Sequence, residues 1–197
     1  MKKLNKIILL IFISSPLSAN AGVYVNTNFR PYLGIDIGLN IADYTYNTNL
    51  SDTYSSATIN AGARIGQTFG AELFFTHSST NNLEFIYDLN AINHEIYYIA
   101  FGFDIFAYYN ITKDINIFTT FGVANYKIYN KYEYITETSE TNSKTSDSNV
   151  TTRIGIGGMY TFPGNKVSAH IQYHYTPINN ELISTMSEFT FGIRYAF

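Results

Sequence analysis

His77-Ser78-Ser79 sets an imidazole two residues from a hydroxyl, with Glu72 upstream and Glu84 and Glu95 downstream. A hydroxyl nucleophile, a base and a carboxylate that orients the base are the parts of an acyl-transfer triad. On a strand His77 and Ser79 share one face, because side chains alternate with period two. His170 and His174 have the spacing that on a helix brings two imidazoles to one metal ion. On a strand they stand roughly 13 Å apart at about 3.3 Å per residue, too far for one ion bonded at about 2 Å. Gly155-Ile156-Gly157-Gly158 lacks the Lys-Ser/Thr and the following helix of a phosphate loop. Asn49, Asn110 and Asn149 begin N-x-Ser/Thr triplets, the acceptor pattern for N-glycosylation. Which chemistry is available depends on whether helices or strands hold these residues.

The periodicity answers strand. In residues 188–197 the odd positions Phe189, Phe191, Ile193, Tyr195 and Phe197 are large and apolar. The even positions Glu188, Thr190, Gly192, Arg194 and Ala196 are polar, charged or small. The same alternation recurs over residues 32–41, 58–67, 71–76, 95–108, 115–127, 150–162 and 167–176, and a helical period recurs nowhere after residue 21. Short turns are expected at 68–70, 110–114 and 163–165. Long polar loops are expected at 43–57, 77–93 and 129–149, with a shorter one at 177–182, although 83–87 extends the strand pattern into the second. This rhythm of long and short connections predicts an all-β fold, an eight-stranded antiparallel up-and-down transmembrane β-barrel.

Residues 1–21 read as a secretory signal peptide. Lys2, Lys3 and Lys6 form the positive start, Ile7 to Ile13 the apolar run, and Ala19-Asn20-Ala21 the cleavage pattern. Residues 22–197 are then the barrel domain. They keep nine of the twelve Lys+Arg and all fifteen Asp+Glu, a net charge of about −6, which argues against a nucleic-acid partner. The chain has no Cys, so an exported domain must be stable without disulfides. Tyr and Phe number 18 and 15, a composition that suits strands.

Three features place the apolar face outward, toward lipid. Gly34, Gly38, Gly62, Gly66, Gly102, Gly122, Gly155, Gly157 and Gly192 lie on the polar face, where a narrow barrel interior has little room. The same face carries Asp36, Glu72, Asp104 and Glu188 with Arg64, Arg153 and Arg194, which are expected to pair as a charge network in the lumen. The apolar face carries almost no charge and gathers aromatics near strand ends, as an interface girdle does.

With these residues, the chain resembles the small eight-stranded outer-membrane proteins of Gram-negative bacteria, the OmpA/OmpX-like and opacity-type surface-antigen superfamily. Thr190, Gly192, Ile193, Tyr195 and Phe197 resemble the C-terminal signal of that class: polar, x, Gly, hydrophobic, x, aromatic, x, aromatic. The resemblance implies recognition of this strand by the barrel assembly machinery, residence in the outer membrane, and lipid and lipopolysaccharide as neighbours. It also resembles the members that are barrel alone, without a peptidoglycan-binding domain.

The expected function is that of a structural protein, surface antigen or adhesin that shows four loops to the exterior and meets any host or extracellular ligand through them. No catalytic residue, cofactor or metal is expected. Two alternatives stand beside it. One is a lipid-modifying enzyme similar to the lipid A deacylases, which use a His-x-Ser pair with a Glu on such a barrel. Here that pair is His77 and Ser79, mid-chain rather than in the late strand where the class carries it. The other is a narrow passive pore, which paired lumen charges oppose, since barrels that leave an aqueous channel have about 16–18 strands.

Overall fold

A computed structural model describes residues 29–45, 51–87, 90–135, 140–164 and 166–197. The signal peptide and its cleavage residues Ala19 and Ala21 lie outside them, as does Asn49. Nine strand segments follow in order: β1 (Phe29–Tyr44), β2 (Thr53–Ile65), β3 (Phe69–Ser78), β4 (Asn81–Tyr87), β5 (Asn90–Asn110), β6 (Ile115–Ile135), β7 (Glu140–Thr161), β8 (Val167–Thr176) and β9 (Ile183–Ala196). Consecutive strands pair antiparallel except β3 and β4, which both pair with β5, and β9 returns to β1 through pairs such as Ile35↔Ile193 and Leu39↔Phe189. The sheet therefore closes on itself.

Nine segments make eight crossings. β3 and β4 lie end to end along β5, with Phe69–His77 facing Ile99–Ala107 and Asn81–Tyr87 facing Asn90–Ile96. Hydroxyls mend the break between them. The Tyr98 amide donates to Ser78 Oγ at 2.8 Å, and the Ser55 amide donates to Ser79 Oγ at 3.0 Å. These bonds replace ladder bonds that the break would leave unmade.

The faces are those of an inside-out protein. Ile37 is 67% exposed and Phe189 53%, while Asp104 and Asn40 are 0% exposed. In water that distribution would be unstable. In hydrocarbon it is required, and the closed ladder satisfies the backbone without water. Glycines on the inner face make room for the acids: a Cβ on Gly192 would collide with the Asp36 carboxylate, and one on Gly122 with that of Asp104. Gly66 differs from its expected place in a strand. It sits in the β2–β3 turn at a φ of 65°.

The turns at one end are tight, and excess strand length lies at the other. β5, β6 and β7 run 21, 21 and 22 residues, where about 9–11 cross a bilayer. The long loop expected over 129–149 is largely a hairpin, with Tyr129↔Ser146 and Ile135↔Glu140 in register. Likewise, much of 77–93 is strand. Above the lipid belt both faces of these strands meet water, so the sequence loses its apolar alternation while the hydrogen-bond ladder continues. β7 pairs with β8 only over Ile154–Thr161, so β4 to β7 rise as a wall on one side of the barrel.

Candidate functional site

The lumen is filled in tiers. Toward the long-strand end, inward residues of β2, β5, β6 and β9 form an apolar cluster around Tyr54, Ile96, Tyr98, Ile128, Ile183 and Met186. The β8–β9 connection folds into it through Ile178, held by Asn149 Nδ2 donating to the Ile178 carbonyl and Thr151 Oγ1 to the Pro177 carbonyl. At the short-turn end a second cluster joins Phe106, Tyr108, Phe118 and Met159. The charged side chains lie between. Arg153 packs on the Phe74 ring of the first cluster at 4.0 Å, and Arg194 on Phe106 of the second at 4.9 Å.

Strand parity brings the charged residues together. Arg153 on β7 reaches across the lumen to Asp104 on β5 at 2.9 Å and to Glu188 on β9 at 3.7 Å. Arg194 on β9 meets Glu72 on β3 at 2.7 Å, and Tyr32 Oη donates to the same carboxylate at 2.9 Å. Asp36 on β1 accepts from Asn60 Nδ2 at 3.0 Å and lies 3.3 Å from His170 Nε2. Charges buried this deeply persist only with partners, because removing them from water costs several kcal/mol each.

Arg64 stands apart from this set. Its Nη2 donates to the Gln67 carbonyl at 2.7 Å, Asn110 Oδ1 at 2.9 Å and Asn116 Oδ1 at 3.1 Å. Among the described residues no carboxylate lies within ion-pair distance of it. Its place beside the β2–β3 turn puts it at the mouth, beyond the reach of the central acids.

His170 and His174 point into the same lumen toward different carboxylates. His174 lies 3.7 Å from both Asp104 and Glu188, and Arg153 Nη2 donates to its ring. Among the described residues no group of three or more His, Asp or Glu is placed to hold a metal ion. Parity alone did not select Tyr32, Asn60 or Ser56 as partners of the acids; each lies at an inward-facing position, and polar residues at inward parity were the available signal.

The His77-x-Ser79 pair does not assemble. His77 faces outward and its ring lies 6.0 Å from that of Tyr97, while the Ser79 hydroxyl is engaged at the β3–β4 break. Glu95 pairs with Lys131 at 3.6 Å, Glu72 points into the lumen, and the Glu84 side chain lies outside the described part of the structure.

Above the lipid belt, rings line the outer wall. His77, Tyr97 and Tyr129 follow one another across β3, β5 and β6, with the two tyrosines stacked at 4.7 Å. Lys127 and Lys144 reach the Tyr129 ring at 5.0 and 5.2 Å.

The sequence pattern of a family described as the outer membrane protein beta-barrel domain matches residues 7–197. The chain belongs to this family. Among solved structures, Neisserial surface protein A is similar at 15% identity and a TM-score of 0.56, over 85% of this chain and 97% of that one. Ail, the attachment invasion locus protein of Yersinia pestis, is similar at 13% identity and 0.52, over 86% and 97%. OprG of Pseudomonas aeruginosa is similar at 10% and 0.50, over 87% and 97%. At these identities the likeness is one of fold. No curated protein sequence matches the chain. As an outer membrane β-barrel of a bacterium, the protein sits with its apolar belt in lipid. In such barrels the short turns face the periplasm and the long connections the exterior. The β4–β7 wall is therefore outside the cell, and Arg64 is at the periplasmic mouth.

Proposed function

We propose that the protein works as a surface-interaction protein of the adhesin or surface-antigen kind, with the barrel as a rigid base and the β4–β7 wall as the part that meets a partner. One observation carries this reading: the surplus length of β5, β6 and β7 is all on the outer side. Function on membrane barrels concentrates in what they display, and ordered strands hold binding groups more firmly than loops. The partner suited to the wall is a polyanionic glycan, since Lys127 and Lys144 both reach the Tyr129 ring and Lys131 stands opposite Lys144 on the adjoining strand. One structure of Ail holds the heparin analogue sucrose octasulfate, which names a probe to use. No catalytic step belongs to this reading. The Ser79 hydroxyl already serves the backbone, which disfavours the lipid A hydrolase, and the two apolar clusters disfavour the pore. The terminal strand, with Thr190, Gly192, Ile193, Tyr195 and Phe197, serves assembly rather than binding.

The test is heparin retention by the folded barrel in neutral detergent. The protein is expected to bind and to elute earlier after K127Q/K144Q, with a shallower salt dependence as charge contacts are lost. Equal retention of both proteins counts against the wall, and absence of retention counts against the glycan.

A further inference from the structure

The nine Lys and Arg of residues 22–197 fall into three groups. Arg153 and Arg194 are paired with acids in the lumen, and Lys127, Lys131 and Lys144 stand on the outer wall. The remaining four, Arg30, Arg64, Lys113 and Lys166, gather at the periplasmic mouth. In a chain whose net charge is negative, this end is positive. Asp114 lies 4.0 Å from Lys113 Nζ. Arg30 and Lys166 have no ion-pair partner among the described residues.

These cations surround real space. A cavity of about 460 Å³ is lined by Arg30, Arg64, Lys113, Gln67, Asn110 and Asn116, among others. A smaller one of about 60 Å³ adjoins it, sharing Arg30, Arg64 and Thr161 and adding Lys166 and Arg194. No carboxylate side chain lines either. Arg64 is held in place before any ligand arrives: its three hydrogen bonds all use Nη2, and Tyr108 lies 4.4 Å from its guanidinium carbon. Nε and Nη1 are left to donate singly, on separate edges of the guanidinium. In the wall of the smaller cavity, Arg194 has Nε and Nη1 buried without a hydrogen-bond partner. The aromatic tier of Phe106, Tyr108, Phe118 and Met159 closes the lumen beyond, so an anion entering here would stop rather than pass.

We propose that the periplasmic mouth is a phosphate site, with Arg64 donating through Nη1 and Arg30, Lys113 and Lys166 supplying charge. A guanidinium N–H makes a short, charge-assisted bond to an oxyanion, and convergent cations favour a dianion over a single carboxylate. The same chemistry is offered by free phosphate and by the headgroup of an anionic phospholipid in the adjacent leaflet. The site lies at the opposite end of the barrel from the β4–β7 wall and does not depend on its role.

The experiment is calorimetric titration of the folded barrel in neutral detergent with inorganic phosphate. Saturable binding is expected at or below about 10 mM, weakened about tenfold in R64Q, the loss of one charge-assisted contact. R30Q/K166Q, altered at two exposed residues, should weaken it as well, with E181Q, an exposed change at the other end, as the unchanged control. Retained folding is checked by heat-dependent gel mobility. A second arm uses nanodiscs of phosphatidylcholine with and without phosphatidylglycerol. Competition by phosphatidylglycerol assigns the site to a lipid headgroup, and unaltered phosphate affinity assigns it to a soluble phosphate. No saturable binding, or equal binding in R64Q and the parent protein, overturns the proposal. So does tight binding of an acidic peptide that phosphate fails to displace.

Discussion

Arg153 has two acids, Asp104 at 2.9 Å and Glu188 at 3.7 Å, that share its charge. Truncation to Ala would leave both without their cation in a buried layer. R153A is expected to lower stability by about 3–5 kcal/mol, the usual cost of stranding a buried charge. R153A/D104N/E188Q should recover much of it, because the uncompensated charges are gone. Urea unfolding in micelles, followed by gel mobility, measures both, and equal stability of the single and triple variants would contradict the network's energetic role. Much of this layer was legible residue by residue: Asp36, Glu72, Asp104, Arg153, Glu188 and Arg194 share inward parity. Parity could not say that Arg64, on the same face, sits one tier too far out, because height in a tilted barrel depends on how far the register staggers around the ring. Outside the lipid belt, His94 stacks on Tyr132 at 3.9 Å and lies 2.7 Å from Asn130 Oδ1. Partial burial lowers its proton affinity, with the Asn130 bond opposing. The opened hairpin therefore takes up a proton more readily than the closed one. Its stability is full above the ordinary imidazole range and declines as pH falls through that range. Amide exchange around residues 93–96 and 128–132, after correction for intrinsic rates, should show weaker protection at the lower pH, and H94Q should abolish the difference.

At the scale of elements, period two read the lipid-crossing part of every strand, since one face there must be apolar. It did not read the upper halves of β6 and β7. Residues such as Asn142, Ser143, Thr145 and Ser146 carry no apolar signal, yet pairing with Glu133, Tyr132, Asn130 and Tyr129 keeps them in register. Nor did it read the β3–β4 break. Ser78 and Ser79 resembled the flank of a reactive histidine, whereas their hydroxyls serve as substitute acceptors in the ladder. The final strand carries a further prediction. Phe197 is 69% exposed on the lipid side, and its amide donates to the Pro31 carbonyl at 3.0 Å, next to the closure of β9 on β1. F197D is expected to cut outer-membrane insertion severely while F197Y inserts normally, as judged by fractionation and heat-dependent mobility. Normal insertion of F197D would remove the case for this strand as an assembly address.

The whole molecule is a closed cylinder with an apolar tier at either end and charge between them. Such a lumen should carry no steady ionic current, and planar-bilayer recording of the folded barrel is the check. I183D/M186D, which places acids in the outer tier, should admit water and raise conductance only if the inner tier around Phe106 and Phe118 is also loosened. Steady, ion-selective current from the parent protein would show that the tiers do not seal. The wall adds a mechanical property to this shape. β5, β6 and β7 continue from lipid to exterior as single strands with no described break, so no joint separates the base from its projecting part. A load applied to the wall along its strands is carried into the barrel as shear, with many rungs of the ladder resisting together. The same load applied across the free edge of β7 would peel those rungs one at a time. The protein is thus built to hold against a pull away from the cell and to yield to a sideways one.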